Sequence, residues 1–296
     1  MKNQILCLIA LTAPLSAAEL VASQVPASAK WTLHLDMDAM RESETGKAIF
    51  ARIEADHGAK LQGLKRISSV HLINDLNDIT LLGDGKPEHA VALIHGTFDQ
   101  GHMVDVVKAS DDYSEENYNG FTIRSWKDKE QTQHAAFASD GLLVFSRQDD
   151  SLKQELDVLK TNAPATADPI FSSSGGKPLI AATANLGETE LPPDASKILR
   201  LASVLRIAAT ENNGRFSIHM GAESKDNRHA NRLRRVLDGI LALAEAGNAT
   251  LGNVDFQSEV TATQNQPGVN VALSVPIPAW LQIMKEAADR KKDAAH

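Results

Sequence analysis

Apolar and polar residues alternate from Trp31 to Met37 (Trp-Thr-Leu-His-Leu-Asp-Met), and a period of two predicts a half-buried strand. The spacing then changes. Asp38 stands where a helix N-cap is expected, and Met40 to Ile53 carries the three-four spacing of an amphipathic helix. Short apolar runs at Val70–Ile73 and Ile79–Leu82 predict two strands, and Asp84-Gly85 marks a turn. Ala90-Val-Ala-Leu-Ile94 is a near-continuous apolar strand, and Asp99 is placed to cap a short helix through Met103, Val104, Val106 and Val107. Asn119-Gly120 precedes Phe121–Trp126, and Asp140-Gly141 separates His134–Ala138 from Leu142–Phe145. Both dipeptides predict hairpins, because two-residue hairpin turns need positive φ at their central positions. Leu152, Leu156 and Leu159 mark a further helix.

Residues 161–177 break the pattern with two prolines, three consecutive serines and two glycines, and they predict a linker. Beyond it, Pro178–Leu186 reads as a strand, and a helix is expected around Ala195–Leu201. Asn213-Gly214 joins two strands, Ser203–Thr210 and Arg215–Met220. Asp226 is placed to cap the longest regular helix, whose Leu233, Val236, Leu237, Ile240, Leu241 and Ala244 form one apolar face ending at Gly247. Leu237 and Ile240 are its expected core residues. A hairpin across Pro267-Gly268 links Val254–Thr263 to Val269–Val275, and a helix from about Pro278 to Ala288 follows.

The element order repeats: strand, helix, paired strands, capped helix, hairpin, helix. This predicts an α+β fold of two similar halves, residues 19–160 and 178–296. Each is expected to hold a mainly antiparallel sheet with helices on one face, as in a ferredoxin-like or related sandwich.

The first eighteen residues add a location. Lys2 is followed by the short apolar run Ile5–Ala13, by Pro14, and by Ser16-Ala17-Ala18. These are the three regions of a secretory signal peptide, with cleavage expected after Ala18. The run is well short of the ~20 apolar residues a membrane span needs, and no later stretch reaches that length. Cys7, the only cysteine, lies inside the leader, with Leu8-Ile9-Ala10-Leu11 after it rather than a cleavage site. The mature chain is therefore expected to lack disulfides and thiolate chemistry. With 43% hydrophobic residues it can build a core without them. The full chain's formal charge of −8, which becomes −9 when Lys2 leaves with the leader, gives no reason to expect nucleic acid as a partner.

Chemistry is sparse. Asp36-Met-Asp38 after an apolar strand resembles the nucleophile motif of haloacid-dehalogenase-type phosphatases, and Leu142-Leu-Val-Phe-Ser146 resembles that family's second motif. The resemblance implies Asp36 as nucleophile and Asp38 as acid/base. The sequence departs from the pattern at Met40, where the family has Thr or Val, and lacks a later acidic pair for magnesium. The competing reading has Asp38 as a cap and Asp36 as an exposed strand residue. Ten histidines show no His-x-x-x-His spacing, so no metal or other cofactor is expected. Few aromatic residues, with Trp126 and Trp280 the obvious rings besides Trp31, argue against a carbohydrate-binding module.

Lys225, Arg228, Arg232, Arg234 and Arg235 crowd the start of the long helix, and Arg228, Arg232 and Arg235 share one side. Cations at a helix N-terminus are mildly unfavourable. Lys225, Arg228, Arg232 and Arg235 therefore form the candidate patch for an anionic partner, either an envelope protein or a polyanion. The expected function is an exported, non-catalytic protein, periplasmic or extracellular, with a binding or structural role in the envelope. The alternatives are the phosphatase, or a carrier of an apolar ligand between sheet and helices.

Overall fold

The computed structural model describes residues 22–86, 88–161, 177–187, 199–247, 257–262 and 267–293. After a 3-10 turn at Ala22–Gln24 come β1 (Trp31–Asp36), α1 (Met37–Glu42), α2 (Glu44–Ser68), β2 (Leu76–Gly83), β3 (Val91–Gly96) and α3 (Gln100–Lys108). Next are β4 (Ser114–Tyr118), β5 (Phe121–Asp128), β6 (Gln131–Ser139), β7 (Leu142–Ser146) and α4 (Asp149–Thr161). The chain continues through β8 (Pro178–Asn185), a 3-10 turn at Leu199–Leu201, β9 (Val204–Asn212), β10 (Arg215–Glu223) and α5 (Asn227–Gly247). It closes with β11 (Gln257–Ala262), β12 (Gly268–Pro276) and α6 (Ile277–Asp293).

The architecture is α+β, built on a single sheet. Twelve strands form it in the order β11-β12-β10-β9-β8-β1-β2-β3-β7-β6-β5-β4, and neighbouring strands pair antiparallel. This corrects the expectation of two ferredoxin-like sandwiches side by side. Strands β1, β2, β3 and β7 are neighbours in chain order, whereas a ferredoxin-like sandwich interleaves its strands through split βαβ units. The first strand of the second stretch pairs directly with the first strand of the chain, Leu35 opposite Ile180 and Trp31 opposite Ala184. The expected linker lies almost wholly outside the described residues.

Helices cover both faces of the sheet, not one. On one face α4 packs Leu152 and Leu156 onto Leu82, Leu93, Ile123, Leu142 and Val144. On the other, α1, α2, α3 and α6 surround a core of Met37, Met40, Phe50, Val70, Ile73 and Phe216, with Ile79, Ile94, Ile180 and Ile218 as its floor. Farther along that same face α5 lays Leu233 and Leu237 over Ala222, Val269 and Val271. Runs that are apolar without alternation, Val91–Ile94 and Leu142–Phe145, are what a strand covered on both sides requires.

Two local expectations change. The helix after β1 is broken in two. Asp36 caps α1, and Ser43, whose hydroxyl accepts from the Gly46 N–H at 2.9 Å, caps α2. Glu211 of β9 adds its carboxylate, accepting from the N–H groups of Glu44 and Thr45 at 2.8 Å each. An anion at a helix N-terminus offsets the dipole and satisfies orphan donors. So supported, α2 runs on to Ser68, well past Ile53, and no strand forms at 70–73; residues 72–75 make a turn, with Val70 and Ile73 buried. The Asn119-Gly120 turn has φ of 51° and 94°, as its hairpin demands, and Asn213-Gly214 behaves alike. The Asp140-Gly141 turn needs no positive φ, because a bulge between Phe137 and Ser139 takes up the twist.

Candidate functional site

Asp36 and Asp38 have the reverse of the roles expected. Asp36 is 4% exposed and is itself the N-cap of α1, its Oδ1 accepting from the Ala39 N–H at 2.7 Å. Burial pushes its carboxyl up, opposed by that N–H and by His34. Asp38 lies in the first turn of α1, paired with Arg41, and accepts from Asn77 Nδ2 at 3.2 Å. Arg41 also donates to the carbonyls of Ile73 and Leu76, so the pair pins the turn before β2 to α1.

The phosphatase-like motifs are not brought together. In the strand register Asp36 is level with Asp78, His95 and Leu142, whereas Ser146 is level with Val91, Leu82 and Thr32. At ~3.3 Å per residue and ~4.8 Å per strand, the two motifs are about 13 Å apart along the strands and about 14 Å across them. The antiparallel order puts them at opposite ends of the sheet, so Ser146 cannot hold a phosphate attacked by Asp36. Asp36→Ala should cost about 0.5–2 kcal/mol as a lost cap, while Asp36→Asn, which keeps the acceptor, should cost far less. Asp38→Ala should stay within about 1 kcal/mol, as for a surface ion pair. Urea unfolding of the three variants decides between the two assignments.

Four of the histidines have structural partners. His34 Nδ1 and Thr80 Oγ1 share a hydrogen bond at 2.9 Å, and His95 Nδ1 lies 2.8 Å from Asp78 Oδ1. His134 is held by Ser125 Oγ and His102 by the Ile67 carbonyl, both at 2.8 Å. Among the described residues no three His, Cys, Asp or Glu side chains are grouped to hold a metal ion. Trp280 of α6 stacks on Phe216 at 4.1 Å between ring centroids and is half-buried against the core.

The basic cluster lies at the start of α5. Asp226 caps α5, accepting from the His229 N–H at 2.9 Å, and fixes the rotation of the helix. Ala230, Leu233 and Leu237 then point into the sheet and are buried. The side chain of Ile240 lies outside the described residues. At 100° per residue Arg228, Arg232 and Arg235 point the opposite way, and these three and Lys225 are exposed. Arg234 takes up Asp238 at 3.9 Å, and Arg235 Nε donates to the Asn231 carbonyl at 3.4 Å. Lys225, Arg228 and Arg232 form no ion pair among the described residues. The result is three cations on the solvent face of one helix, with Lys225 just before its cap, in a chain of net charge −8.

Sequence reasoning missed a buried acid. Glu155 on α4 is 1% exposed, and neither carboxyl oxygen has a hydrogen-bond partner among the described residues. Burial pushes its pKa up to about 8. Its signal was its spacing: Glu155 stands three residues after Leu152 and one before Leu156, at the margin of the apolar stripe.

Neither a protein-family model nor a curated protein matches the chain. Solved structures do. Crystal form III of TP0453 is 8% identical at a TM-score of 0.49, with 90% of this chain and 97% of that one covered. Crystal form IV of TP0453 is 8% identical at 0.48, covering 89% and 95%. Crystal form I is 7% identical at 0.46, covering 91% and 98%.

Proposed function

We propose that this chain is an exported, non-catalytic binding protein of the cell envelope, which captures an anionic polymer or an acidic protein surface through the solvent face of α5. The observation that carries the reading is the exposed group of Arg228, Arg232 and Arg235, on a helix whose other side is fixed in the core, with Lys225 just before its cap. Four like charges at the N-terminal end of a helix repel one another and the dipole. An anion laid along them relieves both costs. The overall negative charge keeps the rest of the surface from competing for the same partner.

Export rests on Lys2, the apolar run Ile5–Ala13 and Ser16-Ala17-Ala18. Among the described residues no helix is long and apolar enough to cross a membrane. N-terminal sequencing of the native protein should return Glu19 or a neighbouring residue, and an intact Met1 on a cytoplasmic product would refute export.

The same reading treats the chain as two related halves, 19–160 and 178–296. Outward from the central β1–β8 pair the strands run β1-β2-β3-β7-β6 on one side and β8-β9-β10-β12-β11 on the other. A helix follows the third strand and the fourth on each side, and the β4–β5 hairpin is an addition to the first. On this view α5 corresponds to α3, lengthened from nine residues to twenty-one, and Arg228, Arg232 and Arg235 lie within its first nine residues.

The test is capture from envelope extract by the immobilised chain 19–296. Anionic polymer, read as retained phosphate or uronic acid, or acidic protein should be held by the natural sequence. It should be lost from the variant Arg228→Glu, Arg232→Glu, Arg235→Glu.

A further inference from the structure

We infer that the last turns of α2, with the turn that follows them, are an interfacial anchor that lays the chain on a bilayer surface containing anionic phospholipid. The inference uses none of the residues of α5 and stands apart from the reading above. Leu64 is 47% exposed, Ile67 57% and Leu72 38%, and these are the exposed large hydrophobic side chains among the described residues. All three fall in the stretch 64–72. A lone exposed leucine is ordinary, but a group of this kind marks an interaction surface.

The group exists because α2 outruns its core. Its 25 residues extend about 37 Å at the helical rise. Ile49, Phe50, Ile53 and Leu61 pack into the core over the sheet. At about 100° per residue Leu64 and Ile67 continue the side of the helix that Leu61 begins, but past the end of that core. Helix α3 meets this last turn at the backbone, with His102 Nε2 2.8 Å from the Ile67 carbonyl oxygen, and leaves the Ile67 side chain open.

The charges around the group select its occupant. From His57 to Asn74 the chain has no acidic residue, although 38 of its 296 residues are Asp or Glu, and it carries Lys60, Lys65 and Arg66. All three are exposed, and none forms an ion pair among the described residues. Lys60 stands one turn before Leu64 on the same side of α2, and Lys65 and Arg66 flank Leu64 and Ile67. Asp105, the exposed acid of neighbouring α3, pairs with none of them. An apolar stripe fringed by unpaired cations complements a surface that presents anions with hydrocarbon just beneath. Lipid phosphates take the ammonium and guanidinium heads, and acyl chains take Leu64, Ile67 and Leu72. A second copy of the chain is a poor occupant, because a two-fold contact would set the three cations against their own equivalents. Among the described residues no helix is long and apolar enough to cross a membrane, so α2 lies on the surface.

The test is flotation of the purified chain 19–296 with vesicles of phosphatidylcholine alone, and of phosphatidylcholine with one part in three of phosphatidylglycerol, at low and at raised salt. The natural sequence should float with the anionic vesicles and not with the neutral ones, and raised salt should weaken the binding. Lys60→Gln, Lys65→Gln and Arg66→Gln together should weaken it about a hundredfold, at about fivefold per cation. Leu64→Gln with Ile67→Gln should weaken it roughly tenfold or more. Both variants change exposed side chains and should melt with the natural sequence. Leu64→Trp should add fluorescence that brominated acyl chains quench, which adsorption by charge alone would not give. The variant Arg228→Glu, Arg232→Glu, Arg235→Glu should still float, so this inference and the α5 reading fail separately. No flotation with anionic vesicles, undiminished flotation of either α2 variant, an unquenched Leu64→Trp, or loss through the α5 reversal instead overturns the inference. Full displacement by polyglutamate would assign the patch to an acidic protein and overturn it as well.

Discussion

Raising the pH from about 4.5 to about 8 should cost this fold up to about 5 kcal/mol through Glu155 alone. The group's ordinary pKa is 4.5, and burial on α4 pushes it up to about 8. Between these values the folded chain holds a proton that the unfolded chain has released. Stability therefore falls as pH rises through the window and is level again above it. In Glu155→Gln the group no longer titrates. Urea unfolding at pH 5, 7 and 9 should show the variant gaining on the natural sequence at each step. A difference between the two that is flat with pH would mean the Glu155 carboxyl is satisfied in the folded protein.

The second large effect belongs to Gly46. Helices α1 and α2 meet around Ser43 so closely that a Cβ on Gly46 would overlap the carbonyl group and Cα of Met40. Both partners are backbone, and Met40 is 5% exposed in the core beneath α2, so neither can yield cheaply. Gly46→Ala should cost on the order of 3–5 kcal/mol, at the upper end for overpacking. It should also weaken the Glu211 contacts, because moving the first turn of α2 takes the Glu44 and Thr45 N–H groups away from that carboxylate. Gly58, on the same helix with open space around its Cα, is the control, and Gly58→Ala should stabilise slightly, by about 0.5–1 kcal/mol. Thermal melts of the two variants should move in opposite directions.

How far the sequence carried the fold can be traced residue by residue. Two hairpins and two helix starts followed from local chemistry, since Asn119-Gly120, Asn213-Gly214, Asp99 and Asp226 do in the structure what those residue types do alone. The alternation Trp31–Met37 named a strand but misjudged its sides. Thr32, His34 and Asp36 are the more buried set, because β1 lies between β8 and β2 at the centre of a sheet covered on both faces. That also explains Asp36: a strand end hidden under α1 cannot present an exposed carboxylate. The helix break at Ser43 depends on Glu211, 167 residues away from the Glu44 N–H it accepts, and no local pattern reports a contact of that span. The single sheet had the same obstacle, for the β1–β8 pairing is long-range and its register emerges only in three dimensions. The basic row was readable because helical spacing and an N-cap fix its direction. Glu155 was hidden by the opposite circumstance, an acid beside a leucine stripe that resembles an ordinary boundary residue until the helix is docked.

The central claim is that the exposed face of α5 binds an anionic partner. Its most direct test is the binding isotherm of the purified chain 19–296 for polyphosphate, at low and at raised salt, beside the triple reversal of Arg228, Arg232 and Arg235 to Glu. The natural sequence should bind, weaken as salt screens the contact, and exceed the variant by roughly tenfold or more, with the two melting within about 0.5 kcal/mol of each other in stability. Equal binding by the natural chain and the reversed variant would contradict the claim, and a loss of binding accompanied by unfolding would show that these arginines serve the fold instead.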